Sequence, residues 1–363
     1  MAQVQQVREA RDGAGLAQRI QTEVERTIQR RLKGLEYLGS PAPPVGLTPR
    51  KTLLRRGTLN LYHYKSMADE VYRVPILLVM ATTNKAFIFD LGPRQSLVDF
   101  LLGRGYDVYV IDWNTPSRNE RTLRLENYTL DFIPDCIRRV QVDSGVDDIT
   151  LVGYCVGGVL STIYTALHPD GPVKNLICFT TPIDFTKIGF KDVADQRCFD
   201  VDKLVDSVGL VPPTFIEAGF DLLRPAGRAA STIRLWDNLW NDEYVKSYRM
   251  MDRWGAETLP LPGEYFRQTI KELFWKNGLY ETTLHVGGRL VDLRKIRASL
   301  LHVIAEHDHL VPPECAGPLV ARAISNDREE YVLKGGHVSL VAGPNAVKRM
   351  WPKLDQWLER RST

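Results

Sequence analysis

Apolar positions along this chain follow two different periods. Near the N-terminus Ala17, Ile20, Val24, Ile28 and Leu32 recur every three or four residues within a highly charged stretch, the spacing of one face of an amphipathic helix. That face suits docking on the body of the protein or on a partner, or it belongs to a solvated helix. Ser40-Pro41-Ala42-Pro43-Pro44 ends the pattern, since proline removes an amide donor and restricts the residue before it. Strict alternation over Thr58-Leu59-Asn60-Leu61-Tyr62-His63-Tyr64 then predicts an edge strand.

From there the chain repeats an apolar run, a turn, an amphipathic segment and another apolar run. The runs are Pro75 to Met80, Asp107 to Ile111, Ile149 to Val152, Asn175 to Phe179, Leu300 to Ala305 and Glu330 to Leu333. Continuous rather than alternating hydrophobicity is what a parallel sheet covered on both faces requires. Helices are predicted over Ser96 to Arg104, closed by Gly105, and over Asn127 to Val142, where Leu130, Ile133, Ile137 and Val140 share a face. The alternation lapses between about 184 and 297, a stretch rich in Trp, Tyr, Phe and Pro, which reads as a mainly helical inserted cap. The expected organisation is an N-terminal helical or extended segment (1–50), a core (51–183), the cap (184–297) and the rest of the core (298–363).

Composition narrows the function classes. With 44% hydrophobic, 9% aromatic and 25% charged residues, the 363-residue chain can build a large core. A net charge of +3, without a Lys/Arg run interleaved with aromatics, gives no support to nucleic-acid binding. The N-terminus is polar from the start and no apolar run is long enough to span a bilayer, so a soluble, cytosolic protein is expected. Cys136, Cys155, Cys178, Cys198 and Cys315 are odd in number and lack CxxC spacing, which argues against a disulfide framework or a zinc site.

Chemistry concentrates at Gly153-Tyr154-Cys155-Val156-Gly157-Gly158, directly after the run Ile149 to Val152 and before the helical pattern Val159 to Leu167. Small residues at 153 and 157 permit the sharp strand-to-helix turn of a nucleophile elbow, the signature of the α/β-hydrolase fold. The helix N-terminus favours thiolate at Cys155. That fold also needs an acid and then a histidine, each just after a later strand. Leu300 to Ala305 runs into Glu306-His307-Asp308-His309-Leu310-Val311-Pro312-Pro313, and Glu330 to Leu333 into Lys334-Gly335-Gly336-His337. Asp308 is the preferred acid, with Glu306 the alternative, and His337 the base; His309 is an accessory candidate. Consecutive residues rarely point at one centre, so a metal reading of 307–309 is disfavoured. Backbone N–H groups of Val156 and Thr83, the latter in the loop Ala81-Thr82-Thr83-Asn84-Lys85, are the expected oxyanion donors. Asp112-Trp113-Asn114 reads equally as pocket lining or as structure.

A Cys elbow followed by Gly-Gly resembles the polyhydroxyalkanoate synthases. So do Asn84 to Leu91, Val110-Ile111-Asp112-Trp113, Thr181-Pro182-Ile183-Asp184-Phe185, Asp308 to Pro313, Gly335-Gly336-His337 and the cap stretch Phe266 to Lys271 with Asn277-Gly278-Leu279. By length the chain is most similar to the short two-subunit type, class III or IV. Two positions depart from the family pattern: Ala86, where Pro or an aromatic is usual, and His307 before the Asp.

The resemblance implies an acyltransferase that loads the acyl group of (R)-3-hydroxyacyl-CoA, short-chain 3-hydroxybutyryl-CoA being expected, on Cys155 and extends a polyester. It implies no cofactor, CoA being part of the substrate, and a companion subunit, a homodimer and a location at the polyester granule surface in the cytoplasm. The rivals are a Cys-type α/β hydrolase or thioesterase, which shares the elbow, and a non-catalytic granule-associated protein.

Overall fold

The computed structural model describes residues 18, 21–34, 36–37, 39–189, 195–196, 199–223 and 225–363; Ala17, Ile20 and Cys198 lie outside them. The chain divides into two compact units, one of residues 44–224 and 254–363 and a smaller one of residues 1–43 and 225–253.

The larger unit is built on an eight-stranded sheet. Its strands are β1 (Arg50–Arg56), β2 (Leu59–Tyr64), β3 (Ile76–Val79), β4 (Val108–Trp113), β5 (Ile149–Tyr154), β6 (Val173–Phe179), β7 (Ser299–Ala305) and β8 (Arg328–Leu333), in the order β1-β2-β4-β3-β5-β6-β7-β8. β1, β2 and β4 pair antiparallel and the rest parallel. Every residue of β3, β4 and β5 is buried, which explains why their sequences run apolar without alternation. The predicted edge strand 58–64 is one place inside the edge. The edge is the basic β1, RKTLLRR, whose charged residues suit an exposed ladder.

Local signals explain the flanking helices. Ser96 caps Leu97–Gly103 by accepting the Asp99 N–H, and Gly145, at φ 71°, ends Ile133–Ser144 in the left-handed region. The predicted helix from Asn127 is wound as π over Asn127–Phe132 before it becomes α.

Between β6 and β7 this unit carries the helices Val201–Val208, Pro213–Leu223, Gly263–Gln268 and Gly278–Glu281 and a π turn at Thr269–Trp275. Strands there are only two residues long among the described residues. In the smaller unit a helix over 21–34 accompanies Gly227–Asp237 and most of Asp242–Ala256. Among the described residues no helix is long and apolar enough to cross a membrane.

Candidate active site

Strand β5 delivers Cys155 into the turn between its last residue, Tyr154, and the helix Val156–Leu167. Cys155 sits at φ 53°, ψ −120°, a conformation that side-chain-bearing residues adopt only when surrounding structure enforces it. Two glycines make the enforcement possible. A Cβ on Gly153 would lie 2.3 Å from the Cα of Gly158, and one on Gly157 would lie 2.2 Å from the carbonyl oxygen of Val79. The Cys155 N–H donates to the Phe179 carbonyl at 2.9 Å, tying the elbow to the end of β6.

Cys155 is half-exposed, whereas Cys136, Cys178 and Cys315 are buried. Burial pushes the Cys178 thiol up to about 11 and that of Cys315 to about 12, so both are held protonated and inert.

The acid and the histidine meet because β7 and β8 are parallel neighbours, with Ala305 opposite Leu333. Pairing continues past the strands, Glu306 N–H to Leu333 and His307 N–H to Gly335, which carries both loops to the same end of the sheet. Glu306, His307 and His309 stay exposed, and Asp308 turns inward. One Asp308 oxygen accepts the N–H groups of Leu310 and Val311, each at 2.9 Å. The other lies 2.7 Å from His337 Nδ1. The Asp308 carboxylate is therefore fixed by its own loop and left with one face for the imidazole.

His337 is buried. Burial opposes its charge, yet the charge of Cys155, hydrogen bonds to Asp308 and Cys155 and the Asp308 carboxylate together raise its pKa to about 10.

The sign of the shift gives a testable pH dependence. The unfolded chain releases this proton near the ordinary 6.5 and the folded protein near 10, so folding binds extra protons between those values. The group's stabilisation is complete below about pH 6.5 and lost as pH rises to about 10. In urea titrations the stability gap between wild type and His337→Asn is expected to narrow across that window, and a gap constant from pH 6 to 10 refutes it.

The loop 81–85 follows β3 and is clasped by the segment after it in space, 254–265. Leu259 N–H donates to the Thr83 carbonyl at 2.7 Å, Trp254 Nε1 to the Lys85 carbonyl at 2.8 Å, and Thr82 Oγ1 lies 3.2 Å from the Tyr265 hydroxyl. Asp112 anchors the same loop. It binds Lys85 Nζ at 2.6 Å and accepts the Ala86 N–H at 2.7 Å, while Trp113 Nε1 donates to the Met80 carbonyl. Asp112 and Trp113 are thus buried ties rather than pocket lining.

Three further residues were not visible as site residues in the sequence. Tyr265 is buried against Tyr128, with ring centroids 4.5 Å apart, and its hydroxyl is near enough to feel the Cys155 charge. Asn277 donates to Asp184 and accepts the Phe185 N–H, fastening the chain where it leaves β6. His302, on β7 opposite Cys178, is fully buried, and burial lowers its pKa to about 3. Its neutral Nε2 faces the Thr181 N–H at 3.4 Å, next to Thr180 at φ 43°. Asn277 belongs to a stretch that resembles the family but carried no assigned role, and Tyr265 and His302 carry no motif, so only spatial proximity could have marked what they do. Among the described residues no cluster of His, Cys, Asp or Glu could hold a metal ion.

Sheet order, elbow and the His337–Asp308 pair define an α/β-hydrolase-fold protein whose elbow carries cysteine in place of serine. A family model described as alpha/beta hydrolase fold matches residues 90–344, and one for the N-terminus of poly-beta-hydroxybutyrate polymerase (PhaC) matches residues 42–101. Two solved lipases share the fold at low identity. A soluble variant of the Saccharomyces cerevisiae monoglyceride lipase gives a TM-score of 0.55 at 14% identity, covering 89% of this chain and 100% of its own. The Paleococcus ferrophilus monoacylglycerol lipase gives 0.51 at 18%, covering 83% and 99%.

Sequence relatives are more specific. The poly(3-hydroxyalkanoate) polymerase subunit PhaC of Haloferax mediterranei is 34% identical over 88% of this chain, which spans 65% of that protein. The subunits of the same name from Allochromatium vinosum and Synechocystis sp. are 33% and 30% identical, each over 91% of this chain, with 94% and 89% of their own lengths spanned. The chain belongs to the PhaC family of poly(3-hydroxyalkanoate) polymerases, which are acyltransferase-type enzymes.

Proposed function

We propose that this chain is the catalytic subunit of a polyhydroxyalkanoate synthase that uses Cys155, His337 and Asp308 on (R)-3-hydroxyacyl-CoA. The observation that carries the reading is the strained, half-exposed Cys155 at φ 53° on the elbow, beside a buried His337 whose Nδ1 lies 2.7 Å from the Asp308 carboxylate. Cys155 gives its proton to His337 and its sulfur attacks the thioester carbonyl; a new acyl–sulfur bond forms, the acyl carbon–sulfur bond to CoA breaks, and His337 passes the proton on to the departing CoA thiolate. Exchanging one thioester for another is nearly balanced in energy, so the acyl group stays available to the 3-hydroxyl of the next acyl unit.

The N–H of Val156 lies at the start of the elbow helix without an intrahelical partner. Together with Thr83, whose loop is pinned by Leu259 and Asp112, it is the proposed donor set for the oxyanion. No cofactor enters this chemistry. Short-chain 3-hydroxybutyryl-CoA is the proposed substrate. A separately encoded companion subunit, of the class III or class IV kind, is the proposed partner, in keeping with relatives named as subunits. A homodimeric state and the granule surface belong to the same proposal.

The deciding measurement is the product formed from (R)-3-hydroxybutyryl-CoA by the purified chain, alone and with candidate companions. Insoluble polymer with stoichiometric CoA release is expected. Free 3-hydroxybutyrate as the main product would make the chain a thioesterase and sink the synthase reading.

A further inference from the structure

The N-terminal helix is covered on the wrong side. Its described apolar residues Val24, Ile28 and Leu32 are 53%, 54% and 59% exposed. The face that meets the rest of the smaller unit is polar: Arg26 lies over the Trp240 ring, Lys33 pairs with Asp242 at 2.9 Å, and Arg30 is only 17% exposed. All of residues 21–29 are exposed. A helix this short gains little stability from its own hydrogen bonds and normally depends on burying an apolar stripe.

We propose that this stripe is the docking surface for the same helix of a second copy of the chain, crossing antiparallel. The argument is the order of charges beside the stripe. Glu23, Thr27 and Arg31 form one i, i+4 ridge and Val24, Ile28 and Leu32 the next, and the groove between them is lined by Glu23, Val24, Thr27, Ile28 and Arg31.

Ridges of this spacing pack into matching grooves. A two-fold axis beside Ile28 sets Ile28 against its own copy and Val24 against Leu32 of the second copy. It also brings the acid at one end of the groove, Glu23, to the base at the other end, Arg31, twice. Arg31 makes no hydrogen bond or ion pair among the described residues, whereas Glu23 already binds Arg30 at 2.9 Å and can be shared. A parallel two-fold pair would put the two Glu23–Arg31 ridges on opposite sides of the seam, where neither charge finds its partner, so the charges select the antiparallel arrangement. Such a contact is isologous and closes at two copies.

Sedimentation equilibrium of the full chain, with helicity checked by circular dichroism, tests the pairing independently of catalysis. The monomer–dimer Kd is expected to rise at least about tenfold in Ile28→Glu, one step of 1.4 kcal/mol. Glu23→Arg and Arg31→Glu should each weaken the dimer, and the double exchange should restore it to within about threefold of wild type, since the pair is then merely reversed. Under mild oxidation Ile28→Cys should give an intermolecular disulfide.

A chain monomeric at all concentrations, a dimer indifferent to Ile28→Glu, or a double exchange no better than the single ones overturns the proposal. So does an Ile28→Glu variant that keeps its dimer but loses a co-expressed companion subunit, which would assign the stripe to that companion.

Discussion

Cys155→Ala is expected to lower CoA release from (R)-3-hydroxybutyryl-CoA by about 10⁴-fold or more, the scale on which loss of a covalent nucleophile acts. The fold should survive. Alanine is smaller than cysteine and pays the same left-handed backbone cost at φ 53°. The Cys155 N–H bond to Phe179 does not involve the side chain. Near-UV circular dichroism of wild type and variant should therefore superimpose while turnover disappears. Mass spectrometry after mixing with substrate should find an acyl adduct on wild type and none on the variant. An active Cys155→Ala protein would mean that no thioester forms at the elbow. A dead one that still carries an acyl adduct would place the nucleophile elsewhere.

Asp308→Asn tests the other half of the site, and the expected result is a fall in kcat of about 10³- to 10⁴-fold with KM little changed. The Asn carbonyl can still accept the Leu310 and Val311 N–H groups that now bind one carboxylate oxygen. Its NH₂ then points at His337 Nδ1, where Asp308 presents an acceptor at 2.7 Å. The imidazole must reverse its tautomer, leaving Nδ1 as acceptor and Nε2 protonated. A protonated neutral Nε2 cannot take the proton of Cys155, and no carboxylate remains to stabilise an imidazolium. The change is thus electrostatic rather than steric. Full kcat in Asp308→Asn would show that His337 does not need the carboxylate, and an equal loss in KM would indicate a binding role instead.

Much of this site was legible before any fold was known. Gly153, Cys155 and Gly157 between an apolar strand and a helical pattern specify an elbow, because only small residues permit so close an approach of helix and strand. Asp308 and His337 were recognisable because each follows a later strand, in the order the topology needs. The remainder depended on neighbours distant in sequence. Glu306 and Asp308 are both acids after the same strand. Only burial and the bonds of the Asp308 carboxylate to Leu310, Val311 and His337 show which one turns inward. Asp112 became a tie once Lys85 was seen beside it.

The period of hydrophobic residues and the spacing of glycines by themselves determined the layered fold and the place of the elbow, since both are local properties that burial on both faces demands. Which strand lies at the edge, which carboxylate reaches His337 and which face of the N-terminal helix is left bare were decided only in the tertiary structure. Each of these depends on which surfaces meet, and the same amphipathic or charged segment satisfies its local preferences either way.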